Sequence, residues 1–178
     1  GSNEHPSQAL YDRYTLWEAL GNYRTPTLLF VGDIVHSRVV GSHVRLAALL
    51  GTRVYLAGPP AWTTVEEKFA PWPGAWEVVD LETFLPRADA VCALRVQTER
   101  GAAAGVSLEE YIAGWQLTAE RLDRLAPQAV LLHPAPVNRG VELSPELVES
   151  PRSWIQRQGG NGQAVRMALL EWCQGVQW

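Results

Sequence analysis

Four short apolar runs constrain most strongly what this chain can fold into. They cover residues 27–31, 53–57, 90–94 and 129–132, and most are apolar at nearly every position rather than at alternate ones. A strand of that kind must be covered on both faces, as in a parallel sheet. Between the runs, apolar residues recur at three- and four-residue spacing, which marks helices. Pro6 suits the first turn of a helix, and Ala9, Leu10, Tyr14, Leu16, Trp17 and Leu20 continue it until Gly21. A second helix is expected over 37–50, ended by Gly51, and a last one over about 161–173. Ser107 and Thr118 are placed to cap helices that run through Tyr111 and Trp115 and up to Leu125. Residues 76–79 suit a short strand and 81–85 a short helix, while 61–74 is the least regular stretch. Strand alternating with helix predicts a single doubly wound α/β domain over 1–178, its sheet mostly parallel with helices on both faces.

The 178 residues suffice for one substantial core, and 47% hydrophobic with 19% charged residues is ordinary globular usage. A net charge of −4 offers no basic field for a nucleic-acid backbone. No apolar run is long enough to cross a bilayer, and no secretory signal is expected at the N-terminus. Cys92 and Cys173 lie in apolar surroundings, which predicts buried, reduced thiols and an intracellular, cytoplasmic setting. No dinucleotide fingerprint follows the first clear strand, no phosphate-binding loop ends in Lys-Ser or Lys-Thr, and no zinc spacing is present. No metal or cofactor is therefore expected. Lys68 is the only lysine among 15 basic residues. A codon bias towards arginine accounts for most of that imbalance.

Ligands of open α/β sheets collect beyond the carboxyl ends of the strands. There the sequence places Gly32-Asp33 with His36-Ser37-Arg38, then Arg95-Val96-Gln97, then His133-Pro134-Ala135-Pro136. One arginine on a rim is most simply a solvated charge. Two of them ending separate buried strands suit a clamp for a molecule with two carboxylates. At the first helix, His5 falls at the cap and Gln8 one turn in. Free N–H groups and an imidazole there suit an oxygen that becomes negative during acyl transfer. The plainer alternative is that His5 only caps the helix and Gln8 completes a capping-box-like pair. His43 is read as a surface or packing residue of the second helix.

The segments His5-Pro6-Ser7-Gln8-Ala9-Leu10, Gly32-Asp33-Ile34-Val35-His36-Ser37-Arg38-Val39, Leu94-Arg95-Val96-Gln97 and His133-Pro134-Ala135-Pro136-Val137-Asn138-Arg139-Gly140 resemble motifs of the aspartate and ornithine carbamoyltransferases. Ser150-Pro151-Arg152-Ser153 and Gln158 with Asn161-Gly162 are similar to that family too. The aspartate branch fits better, because ornithine enzymes carry His-Cys-Leu-Pro at the position of residues 133–136 and read a cationic side chain. The resemblance implies a Rossmann-like fold and carbamoyl transfer from carbamoyl phosphate to the amine of L-aspartate, a step of pyrimidine biosynthesis. It implies that Arg38 and Arg95 hold the carboxylates of aspartate, supported by Gln97. His5 would hydrogen-bond the carbamoyl oxygen and Gln8 the carbamoyl amide, with Ala135 and Pro136 offering backbone carbonyls.

The resemblance covers only the second, aspartate-binding domain of that family. The N-terminal carbamoyl-phosphate domain, with its Ser-Thr-Arg-Thr loop, has no counterpart in 1–178, nor does the loop by which a neighbouring subunit contributes a serine and a lysine. The implied partners are that domain and two further copies in a homotrimer. Tyr11, Tyr14, Trp17, Trp172 and Trp178 are expected to expose apolar surface that packs on it. The chain alone is expected to be a weak catalyst at best. The alternative is a non-catalytic half-protein that binds a dicarboxylate or a partner subunit.

Overall fold

The structure is a computed structural model, described here for residues 4–21, 25–96 and 105–175. Five strands form one sheet: β1 (Leu28–Val31), β2 (Val54–Ala57), β3 (Trp76–Val78), β4 (Ala90–Ala93) and β5 (Val130–Leu132). Their order is β3-β2-β1-β4-β5 and every neighbouring pair is parallel, so the sheet is wholly rather than mostly parallel. From β1 the chain winds outward through β2 and β3, then returns to set β4 on the other side of β1. The β1/β4 boundary is therefore the point where the winding reverses, and a crevice opens there at the strands' carboxyl ends.

Side chains alternate across this sheet and build two cores. Leu28, Phe30, Leu56, Cys92 and Leu132 pack beneath α1 (Pro6–Leu20), α2 (Arg38–Leu50) and the one-turn α3 (Glu66–Phe69). Leu29, Val31, Val91, Ala93 and Leu131 face α4 (Leu81–Phe84), α6 (Ala119–Asp123) and Leu143 and Leu147 of the loop beyond β5. Phe30, Leu29 and Leu131 are completely buried, each worth roughly 1.5–3 kcal/mol relative to exposure. This double cover is why the strand sequences show no alternation.

The caps expected at Ser107 and Thr118 form, and Ser37, expected as the first helical residue, is the cap of α2 instead. The Ser37 hydroxyl accepts from Val40 N–H at 3.2 Å at the start of α2. Ser107 and Glu110 make a reciprocal capping box on α5 (Leu108–Trp115), and Thr118 caps α6. Gly21 and Gly51 end α1 and α2 in the left-handed conformation.

Four expectations need correction. α7 runs over Ile155–Cys173, six residues longer at its start than the sequence suggests. Gly159 and Gly160 are poor helix formers and make that stretch read as loop. Gly162, however, sits where α7 crosses α1: a Cβ there would lie 3.1 Å from the Tyr11 ring. Tyr11, expected at the surface, is only 7% exposed because it fills that crossing. Cys92 is buried as expected, but Cys173 is exposed, since the end of α7 extends past the core. Lys68 lies on α3 rather than in irregular chain. No helix among the described residues is long and apolar enough to cross a membrane.

Candidate functional site

The ladder β1/β4 pairs Val31 with Ala93, and β4/β5 pairs Cys92 with Leu132. The segments following those residues therefore emerge side by side, so Gly32-Asp33, Arg95-Val96 and His133 share one rim. Gly32 makes that approach possible. Its φ is 127°, and an added Cβ would meet the Tyr111 hydroxyl at 3.2 Å and Leu94 at 3.3 Å. Arg38 begins α2 and is exposed, whereas Arg95 is half-buried just past β4. Gln97 lies outside the described residues.

The rim loops are held tightly. Asp33 is 9% exposed and its carboxylate engages His36 Nδ1 at 2.9 and 3.0 Å and His36 N–H at 3.2 Å. Glu142 is fully buried and ties the end of β4 to the loop after Pro136. It accepts from Val96 N–H at 2.7 Å, Asn138 Nδ2 at 2.8 Å and Asn138 N–H at 2.9 Å. Burial raises the pKa of Glu142, and those hydrogen bonds oppose the rise.

Two imidazoles stand at the site as neutral donors. His133 is 1% exposed, and its Nδ1 accepts from Ala135 N–H at 2.9 Å. The proton of the neutral ring is thereby assigned to Nε2, which has no hydrogen-bond partner. Burial, with the Arg95 guanidinium nearby, pushes the His133 pKa down to about 4. His5 caps α1: its Nδ1 accepts from Gln8 N–H at 3.3 Å, and its own N–H donates to Ser42 Oγ of α2 at 2.8 Å. Burial and the Arg38 charge lower its pKa too. So His5 does cap its helix, and that cap leaves Nε2 to carry the proton.

Gln8 does not make the capping-box-like pair. It is 1% exposed and turned inward, donating through Nε2 to Asp12 Oδ1 at 2.8 Å and accepting from the Tyr11 hydroxyl. Asp12 is the centre of a buried polar cluster. Its Oδ1 also accepts from Gln158 Nε2 at 2.7 Å, and its Oδ2 lies 3.0 Å from His43 Nε2. Gln158 Oε1 in turn accepts from His133 N–H at 3.0 Å. One carboxylate thus connects α1, α2, α7 and the end of β5. His43 is a buried packing residue whose ring also lies 4.8 Å from the Phe30 ring, tilted against it. Nothing in the sequence singles out Asp12 or Glu142, and Gln158 enters there only as part of the family-like segment with Asn161-Gly162. Asp12 stands four residues after Gln8 on the same helical face, which is the one local clue.

Ala135 and Pro136 are exposed beyond β5, and Ala135 takes a left-handed φ of 52°. Non-glycine residues in that region concentrate at functional sites. Arg152, by contrast, is structural. Its guanidinium donates to the carbonyls of Leu122 and Ala126, both at 2.6 Å, and of Ala129 at 3.0 Å, finishing α6 and its turn into β5.

Residues 25–173 match the family model described as the Asp/Orn-binding domain of aspartate/ornithine carbamoyltransferase. The chain is 50% identical over 170 residues to the aspartate carbamoyltransferase catalytic subunit of Thermus aquaticus, covering 96% of this chain and 55% of that one. It is 44% identical to that of Salinispora arenicola, covering 96% and 56%. Aspartate transcarbamoylase from Trypanosoma cruzi, solved with phosphate, superposes with a TM-score of 0.81 at 28% identity, covering 96% and 57%. Ornithine carbamoyltransferase from Thermus thermophilus superposes with a TM-score of 0.77 at 28% identity, covering 95% and 55%. Backbone shape therefore does not separate the two branches. The chain spans about half the length of the curated relatives it matches. It belongs to the aspartate/ornithine carbamoyltransferase family, as an Asp/Orn-binding domain.

Proposed function

We propose that this chain is the aspartate-binding half of an aspartate carbamoyltransferase. The observation that supports this reading is the shared rim at the ends of β1, β4 and β5, where Arg95 lies near His133 and, at the starts of α2 and α1, Arg38 lies near His5, in a chain 50% identical to a catalytic subunit of that name. Arg38 and Arg95 bind the two carboxylates of L-aspartate, with Gln97 in the supporting role that the resemblance implies. A fork of N–H donors matches a carboxylate, and two forks select a dicarboxylate over an amino acid with a cationic side chain. The neutral aspartate amine attacks the carbamoyl carbon of carbamoyl phosphate, a C–N bond forms, the C–O bond to phosphate breaks, and the proton lost by the amine leaves on the phosphate. Nε2–H of His5 donates to the carbamoyl oxygen as it gains charge, which a neutral imidazole does without an added proton. The carbonyls of Ala135 and Pro136 accept from the carbamoyl amide and the incoming amine, and Gln8 meets that amide by turning out of the Asp12 cluster in which it is 1% exposed. Positioning and oxyanion stabilisation supply the acceleration, with no covalent intermediate.

The same reading assigns carbamoyl-phosphate binding largely to an N-terminal domain of the kind that the longer relatives have room for. Leu10, Tyr14 and Trp17 of α1 and Met167, Leu170 and Trp172 of α7 are exposed and are suited to pack against it. Trp178 lies outside the described residues. A cytoplasmic homotrimer working in pyrimidine biosynthesis completes the proposal. The test is an NMR titration of the ¹⁵N-labelled chain with L-aspartate and with L-ornithine, repeated on Arg95→Ala. Aspartate-specific shifts at the rim that vanish in the variant are expected. Ornithine shifts without aspartate shifts would overturn the assignment of branch.

A further inference from the structure

A chain that uses arginine for every other basic residue has a lysine at position 68, and the structure supplies a chemical reason. The Lys68 ammonium, on α3, donates to three backbone carbonyls of a single loop: Val35 at 2.6 Å, Ser37 at 3.1 Å and Ile34 at 3.4 Å. Three acceptors gathered about one point suit an ammonium, whose three donors spread from one nitrogen. A guanidinium presents its donors as a fork in one plane and cannot meet all three from the same place. The loop so gathered runs from the end of β1 to the cap of α2, and it delivers His36 and Arg38 to the rim. The segment before α3 braces it as well, because Val35 N–H donates to the Trp62 carbonyl at 3.0 Å.

We propose that Lys68 is a positioning residue for the dicarboxylate site: its ammonium fixes the 34–37 turn and thereby sets where Arg38 meets a ligand carboxylate. Lys68 touches no ligand itself and acts through the backbone that carries Arg38. The role rests on the reading of Arg38 as a carboxylate ligand, so the experiment has one readout that depends on that reading and one that does not.

The ¹⁵N-labelled chain is compared with Lys68→Met, Lys68→Arg, and Lys68→Cys alkylated with bromoethylamine to restore an ammonium at nearly the same reach. The last is made in a Cys173→Ser background, since Cys173 is exposed and Cys92 buried. In Lys68→Met, amide shifts and faster hydrogen exchange are expected at 34–38, with the amides of the sheet unchanged. The dissociation constant for L-aspartate is expected to rise about tenfold, as loss of charge-assisted hydrogen bonds in a loop predicts. Lys68→Arg should recover only part of that loss, and the aminoethylated cysteine most of it. Charge alone would give full recovery by arginine, which overturns the argument from donor geometry. Wild-type loop signals in Lys68→Met overturn the proposal outright, as does an unchanged aspartate constant where wild type binds. Should wild type bind no aspartate, the reading of Arg38 fails instead, and the loop signals still decide whether Lys68 holds the turn. Lys68→Arg and the alkylated variant keep the comparison decisive if Lys68→Met does not fold.

Discussion

His133 shows how much one buried nitrogen reveals about a site. Its ring is held neutral by burial, and its folded pKa of about 4 lies well below the ordinary 6.5. As pH falls below about 6.5, the unfolded chain takes up a proton that the native ring refuses. The stability contributed by the neutral ring is therefore complete above that pH and is lost towards about pH 4, where the difference reaches about 3 kcal/mol. Glu142 works in the opposite direction, because a carboxyl with a raised pKa favours the native state on acidification. The difference between wild type and His133→Gln isolates the histidine. Urea unfolding at about pH 7 and about pH 5 is expected to show wild type losing roughly 2 kcal/mol more than the variant. Parallel pH profiles for the two proteins would mean that His133 titrates normally.

At the scale of elements, the crossing of α1 and α7 is the joint on which the site depends. Asn161 Nδ2 donates to Thr15 Oγ1 at 3.0 Å, Gln158 reaches Asp12, and Gly162 lets the helices approach over the Tyr11 ring. A larger residue at 162 must part them. Gly162→Val is expected to destabilise the fold by about 1–3 kcal/mol and to broaden the NMR signals of Gln8 and His133 well before the sheet is affected. A melting temperature and Gln8 signals identical to wild type would show that the crossing accommodates the extra atoms. This joint also marks the limit of what sequence discloses. The strands, the caps at Ser107 and Thr118, and the placing of Arg38, Arg95 and His133 beyond strand ends follow from local pattern and sheet topology. The start of α7 does not, because its glycines read as loop until a partner helix is known. Neither do the supports: Glu142 is 46 residues from Val96, and nothing near either residue announces the contact.

For the whole molecule, the exposed apolar residues of α1 and α7 and the half-length match to its relatives lead to one kinetic expectation. Supplied with carbamoyl phosphate and L-aspartate, the 178-residue chain should form N-carbamoyl-L-aspartate far more slowly than the roughly 10 per second of a typical enzyme. Fusion to the N-terminal half of a related catalytic subunit should restore turnover by several orders of magnitude. Full turnover by the chain alone would mean that 1–178 binds the phosphate by itself.

The bond from Gln158 to Asp12 joins residues 146 positions apart, and the same amide side chain reaches the backbone of His133. During synthesis on the ribosome, every strand of the sheet and both rim arginines are therefore complete before Gln158 exists. Until α7 emerges, Asp12 on α1 and the His133 N–H at the end of β5 lack the one side chain that joins them. A nascent chain stalled short of α7 would hold a nearly finished sheet whose first helix and last strand are not yet tied together, so the site's frame closes last.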